Sequence, residues 1–90
     1  MSDYRKYLEK QMEDPEFAAE YKVMQPEYEA IRALISARLE SHMTQKELAE
    51  KTGIRQSNIS RIENGSSSPT VETLARIAAG LGRQLKIDFV

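Results

Sequence analysis

Apolar positions along the chain fall into six stretches of helical period, followed by one that alternates. Tyr4, Leu8 and Met12 recur every four residues with Tyr7 beside them, which predicts a helix over 3–13 that Ser2 can cap. Asp14-Pro15 is a helix start, a capping residue followed by proline at the first helical position. Phe17, Tyr21 and Met24 then share one face, and Gln25-Pro26 predicts the end, because the residue before a proline avoids helical dihedrals. Residues 27–41 carry Tyr28, Ile31, Leu34, Ile35 and Leu39 as the apolar side of the next helix. After a loop at 66–69, Thr70 caps a helix from Val71 to about Ala79, with Val71, Leu74, Ile77 and Ala78 inward. In the tail, Leu85, Ile87 and Phe89 alternate with Lys86 and Asp88, which is strand period and predicts a short β-strand. A lone strand cannot satisfy its own backbone groups, so it would need a twin chain or a partner beside it.

The stretch from Thr44 to Gly65 organises the rest. Thr44 followed three residues later by Glu47 is a capping box, and Leu48 and Ala49 then face inward. Gly53 supplies a corner that needs positive φ. A second short helix begins near Gln56, with Ile59 and Ile62 inward and Gln56, Ser57, Ser60 and Arg61 outward. Small Ala49 allows close approach, Gly53 makes the turn, and Ile59 anchors the second helix from below. This is the spacing of a helix-turn-helix whose second helix enters the major groove.

Charge divides the chain. Residues 1–30 hold four basic and eight acidic side chains, a net −4, and residues 31–90 hold nine and six, a net +3. The basic part coincides with the helix-turn-helix, while the acidic part would repel phosphate and calls for another explanation. There is no cysteine, so neither a disulfide framework nor thiol chemistry is expected. No apolar run approaches a membrane span and the first residues are polar, so a cytoplasmic protein without membrane contact is expected. The one histidine, His42, has no second ligand at metal spacing and reads as a surface residue. No nucleophile–base pair or phosphate-cradling glycine loop is recognisable, so neither an enzyme nor a cofactor is expected.

The run Thr44-Gln45-Lys46-Glu47-Leu48-Ala49, Gly53, and Ile59 through Gly65, continued by Pro69 and Leu74 to Ala78, resembles the phage-repressor-like (Xre-type) helix-turn-helix domain over roughly residues 30–83. The expected fold is therefore all-α. It comprises an acidic helical arm (1–26), a helix-turn-helix bundle (27–83) and a single C-terminal strand (84–90). Gln45 lies at a helix start, beside free N–H groups and the positive end of the dipole, which suits a phosphate. The resemblance implies the same role for it. Asn64 and the loop from Ser66 are further phosphate candidates, with Arg55 and Asn58 flanking. Glutamine can pair with adenine and arginine with guanine, so Gln56, Ser57, Ser60 and Arg61 are the candidate base readers. Arg55 departs from the resembled pattern, which often has a capping Ser or Thr there. The resemblance also implies that Arg38 and Glu63 form a structural ion pair.

The arm extends the resemblance. Asp14-Pro15-Glu16-Phe17, then Tyr21 and Pro26-Glu27-Tyr28, followed by the Xre-type domain and the alternating tail, look like antitoxins of the HigA type. That implies operator DNA as one partner and a RelE-like mRNA endonuclease toxin as the other. It further implies a homodimer within a toxin–antitoxin heterotetramer. Tyr4, Tyr7, Leu8, Phe17 and Tyr21 are the candidate toxin contacts, since buried aromatics slow release while opposite charge speeds encounter. The alternative is a stand-alone repressor whose arm only packs on its own core.

Overall fold

The computed structural model describes residues 3–90; the expected Ser2 cap lies outside them, as does the side chain of Tyr4. Five helices follow in order: α1 (Asp3–Gln11), α2 (Pro15–Glu40), α3 (Gln45–Thr52), α4 (Gln56–Glu63) and α5 (Val71–Gly80). Asp14 caps α2, its carboxylate accepting from the Glu16 N–H at 2.9 Å, with Pro15 at the first position. The helix break expected at Gln25-Pro26 does not occur, and α2 runs continuously for 26 residues. Proline removes the donor that the Lys22 carbonyl would use, but Pro26 lies on an exposed side where water can serve that oxygen. Tyr21 and Tyr28 meet across the proline with ring centroids 5.6 Å apart, which ties its two sides together. The second part of the arm, from Pro15, and the first core helix are thus one element.

Local chemistry sets the next boundaries. Thr44 accepts from the Glu47 N–H at 3.0 Å, and Glu47 accepts in return from the Thr44 N–H at 3.1 Å, so both halves of the capping box are present. Gly53 ends α3 at φ 74°, in the left-handed region that a side chain would resist. Thr70 caps α5 by accepting from the Thr73 N–H at 3.0 Å. The turn between α2 and α3 carries a feature with no sequence signal, His42 at φ 55°.

The core lies where α2, α3, α4 and α5 meet. Leu34, Leu48, Ile59, Ile62 and Ile77 form one buried cluster, with Met43, Ala49, Ile54 and Leu81 packed on it. Leu48 and Ile59 are fully enclosed, and each such side chain contributes about 1.5–3 kcal/mol. The apolar side of α2 is rotated from the expected one: Ala37 is buried, whereas Leu39 is 58% exposed. Val71, expected inward, is 60% exposed. Helix α2 is apolar on more than one side, and a bundle this small covers only one of them.

The expected C-terminal strand is absent. Among the described residues there is no β-strand, and 83–90 carry no ladder hydrogen bonds. Alternation supplies the side-chain pattern of a strand, but the single chain offers no second strand to pair with. Leu85 is half-buried in a groove against α2 and α5, while Ile87 and Phe89 are exposed.

Helices α3 and α5 pack closely at Gly80, where an added Cβ would lie 2.5 Å from Thr52 Cγ2. Thr52 cannot readily turn away. Its hydroxyl donates to the Leu48 carbonyl at 2.8 Å and accepts from the Ile54 N–H at 3.2 Å. Gly80→Ala is therefore expected to cost about 1–3 kcal/mol and to lower the melting temperature despite alanine's better helix propensity. An unchanged or raised melting temperature would show that the contact yields.

Candidate nucleic-acid interface

Helix α4 presents one apolar and one polar side. Ile59 and Ile62 point into the core, and Gln56, Ser57 and Arg61 are exposed on the other side. Ser60 is half-buried at the edge of this face. Arg55 holds the N-cap position and makes no side-chain cap hydrogen bond, because a guanidinium has no acceptor to offer the helix N–H groups. Without a side-chain cap, the first N–H groups of α4 have no partner within the helix.

The orientation of α4 is fixed by Arg38 and Glu63, which lie 25 residues apart. Arg38 donates through Nε to Glu63 Oε2 at 2.8 Å and through Nη2 to Oε1 at 2.9 Å. Its third nitrogen donates to the Met43 carbonyl at 2.9 Å. The two side chains are only 13% and 7% exposed. The Arg38 guanidinium is held above its ordinary value, first by the hydrogen bond to Glu63. Burial opposes the shift, and the charge of Glu63 adds to it. Because the folded-state value is raised, this contribution is present below the ordinary arginine range wherever Glu63 carries its charge, and it is lost as pH rises through the folded-state value. Gln45 joins the same carboxylate, donating through Nε2 to Glu63 Oε1 at 3.2 Å. One amide hydrogen of Gln45 is thereby committed and the other remains for a ligand.

The flank of α4 away from Gln45 is a groove of about 470 Å³. Arg55 and Asn58 line one side of it, and Ser68, Thr73 and Arg76 the other. Arg76 and Thr73 were missed by the sequence reading. Their three-residue spacing puts both on one face of α5, but only the packing of α5 brings that face beside Arg55 and Asn58. Beyond α4, Asn64 is exposed and accepts from the Ser66 N–H at 2.9 Å through Oδ1, which leaves its NH₂ group to donate outward. Ser68 donates to Glu27, linking this loop to α2.

The arm residues divide differently. Phe17 and Tyr21 are half-buried and stacked with centroids 6.2 Å apart; Leu8 is half-buried, and Tyr7 is 59% exposed. Among the described residues, no cluster of His, Cys, Asp or Glu could hold a metal ion, and no helix is long and apolar enough to cross a membrane.

The polar-faced α4, set against α3 through a left-handed glycine, lies within the part of the chain that matches a known family. Residues 34–87 match the helix-turn-helix family. The chain belongs to the helix-turn-helix family. It is similar to an uncharacterised helix-turn-helix-type transcriptional regulator of Haemophilus influenzae, 40% identical over 57 residues, 63% of this chain and 58% of the relative. It is similar also to antitoxin HigA1 of Mycobacterium tuberculosis, 31% identical over 74 residues, 82% of this chain and 50% of the relative. A third relative is antitoxin HicB 1 of Photorhabdus laumondii subsp. laumondii, 32% identical over 56 residues, 62% of this chain and 36% of that protein. The chain thus spans about half the length of the curated relatives it matches. No solved structure matches it significantly.

Removing Glu63 from this helix-turn-helix would leave Arg38 enclosed without its counter-charge and Gln45 without its anchor. Glu63→Ala is expected to cost on the order of 3 kcal/mol, read as a fall in melting temperature. An unchanged melting temperature would refute the structural assignment of the pair.

Proposed function

We propose that the chain is a DNA-binding antitoxin that represses its own operon and neutralises a RelE-like mRNA endonuclease by direct contact. The observation that carries the DNA reading is the outward side of α4. Gln56, Ser57 and Arg61 stand exposed there, and no side-chain hydrogen bond or ion pair ties them to the other described residues. In a major groove they would read base edges, with Ser60 at the margin. Phosphates on one side would meet Gln45 and the free N–H groups at the start of α3. Phosphates on the other side would meet Arg55, Asn58 and Arg76 in the flanking groove, with Asn64 and Ser66 beyond.

The acidic N-terminal third supports the toxin reading. An RNA-cleaving enzyme needs a cationic surface to hold its substrate, and residues 1–30 at net −4 are complementary to such a surface. The HigA1 and HicB 1 relatives, both named antitoxins, point the same way. Dimers would place two α4 helices on half-sites about 34 Å or a multiple apart, and two toxins would complete a heterotetramer. The Haemophilus influenzae relative, named a transcriptional regulator, supports the shared part of a second reading, in which the chain is a repressor with no toxin partner.

Gln56→Ala or Arg61→Ala is expected to cost about 1–3 kcal/mol at one base position, measured by binding to operator duplexes substituted base by base. Gln45→Ala is expected to weaken all sequences alike. Arg76→Gln should do the same and reduce the salt slope by about one. Loss of preference at a single base in Gln45→Ala would reverse the assigned roles. The two functional readings separate on co-expression with the neighbouring reading frame. Stable co-purification with a small basic protein supports the antitoxin, and its failure leaves the repressor.

A further inference from the structure

We infer that the free N-terminal half of α2 seats a cationic protein partner, with Val23 as the apolar anchor; this rests on the antitoxin reading and names its contact face. The side of α2 that packs on the core carries Ala30, Leu34 and Ala37, spaced four and three residues apart. Carried back toward the N-terminus at helical spacing, the same side continues through Val23 and Ala19. Leu34 and Ala37 are 5% and 9% exposed, but Val23 is 79% exposed. It is more exposed than any large apolar side chain described before the tail. Ala19, Val23 and Met24 line a shallow surface depression here, beside Glu20.

The aromatic side of the same segment is already used. Phe17 stacks on Tyr21 and Tyr21 meets Tyr28, so their rings cover one another. A partner arriving at this half of the helix meets Val23, 79% exposed, more fully than those half-covered rings. The proposal sets Val23 ahead of Phe17 and Tyr21 among the candidate contacts.

Charge selects the occupant. Residues 13–29 contain six acidic side chains against Lys22 alone. Glu16, Glu20, Val23 and Glu27 succeed one another at four-, three- and four-residue steps, one row along the helix surface. Glu27 is engaged by Ser68, whereas Glu16 and Glu20 are exposed. An apolar residue within an acidic row fits a protein that offers an apolar side chain ringed by lysine or arginine. Nucleic acid would be repelled. A second copy of the chain would set like charges against like, which opposes self-association at this face.

The test uses the full chain and the purified small basic protein encoded beside it, titrated by calorimetry and stopped flow. Val23→Ser is expected to weaken the complex about 30-fold, with melting temperature and operator binding unchanged, since the side chain is exposed. Glu20→Lys is expected to slow association severalfold at low salt, the difference closing at high salt. If the wild type binds and both Val23→Ser and Glu20→Lys bind equally well, the proposed face is wrong while the antitoxin reading stands. If Val23→Ser changes the oligomeric state of the free chain, the face belongs to a second copy and the inference is overturned. If the wild type does not bind the neighbouring protein, the antitoxin reading fails and this inference fails with it.

Discussion

The Arg38–Glu63 pair is the interaction on which the remaining geometry depends. Its carboxylate receives donors from α2 and α3 while sitting at the end of α4, so three helices converge on two oxygens. A salt bridge in water contributes little, as at Arg83–Glu40, where the side chains are 50% and 62% exposed. Arg38–Glu63 is different because it is enclosed and directional. An apolar pair of equal volume could match its stability, but not its geometry. The planar guanidinium admits one orientation of the carboxylate and leaves its third nitrogen to donate to the Met43 carbonyl. That choice aims α4, and the direction of α4 sets what Gln56, Ser57 and Arg61 present to solvent.

Much of this was legible because the governing chemistry is local. Thr44 with Glu47, Gly53 and Thr70 each fix a helix end by hydrogen bonds or dihedral freedom within a few residues. The inward positions of the turn region were equally plain, since Leu48, Ile59 and Ile62 have no other apolar side to compete with. Helix α2 was less legible. Its aromatic and aliphatic residues make more than one apolar side, and only packing decides that Ala37 goes in and Leu39 stays out. Pro26 carried a strong local stop signal, overridden because its ring faces solvent and Tyr21 and Tyr28 bridge it. The tail failed for the opposite reason. Alternation records which side chains share a face, but a ladder needs a second backbone that this chain does not supply.

The candidate interface shows the same division. Residues that act through their own helix position, such as Gln45 and Arg61, could be named from spacing. Arg76 could not, because its place beside Arg55 and Asn58 depends on how α5 crosses the turn. The commitment of Gln45 to Glu63 was hidden too, since it joins residues 18 apart. Both features are products of tertiary packing, which turns the outward surface of one helix into a surface with two flanks.

The unbroken course of α2 gives the molecule a ruler. The fifteen steps from Val23 to Arg38 span about 22 Å at helical rise, and a helix does not change length under small loads. Whatever rests near Val23 is held at a set remove from the outward side of α4, along one continuous helix. On the proposed function, bulk at that end would either clear a neighbouring molecule on the same duplex or collide with it, and the spacing of operator sites along the DNA would decide which.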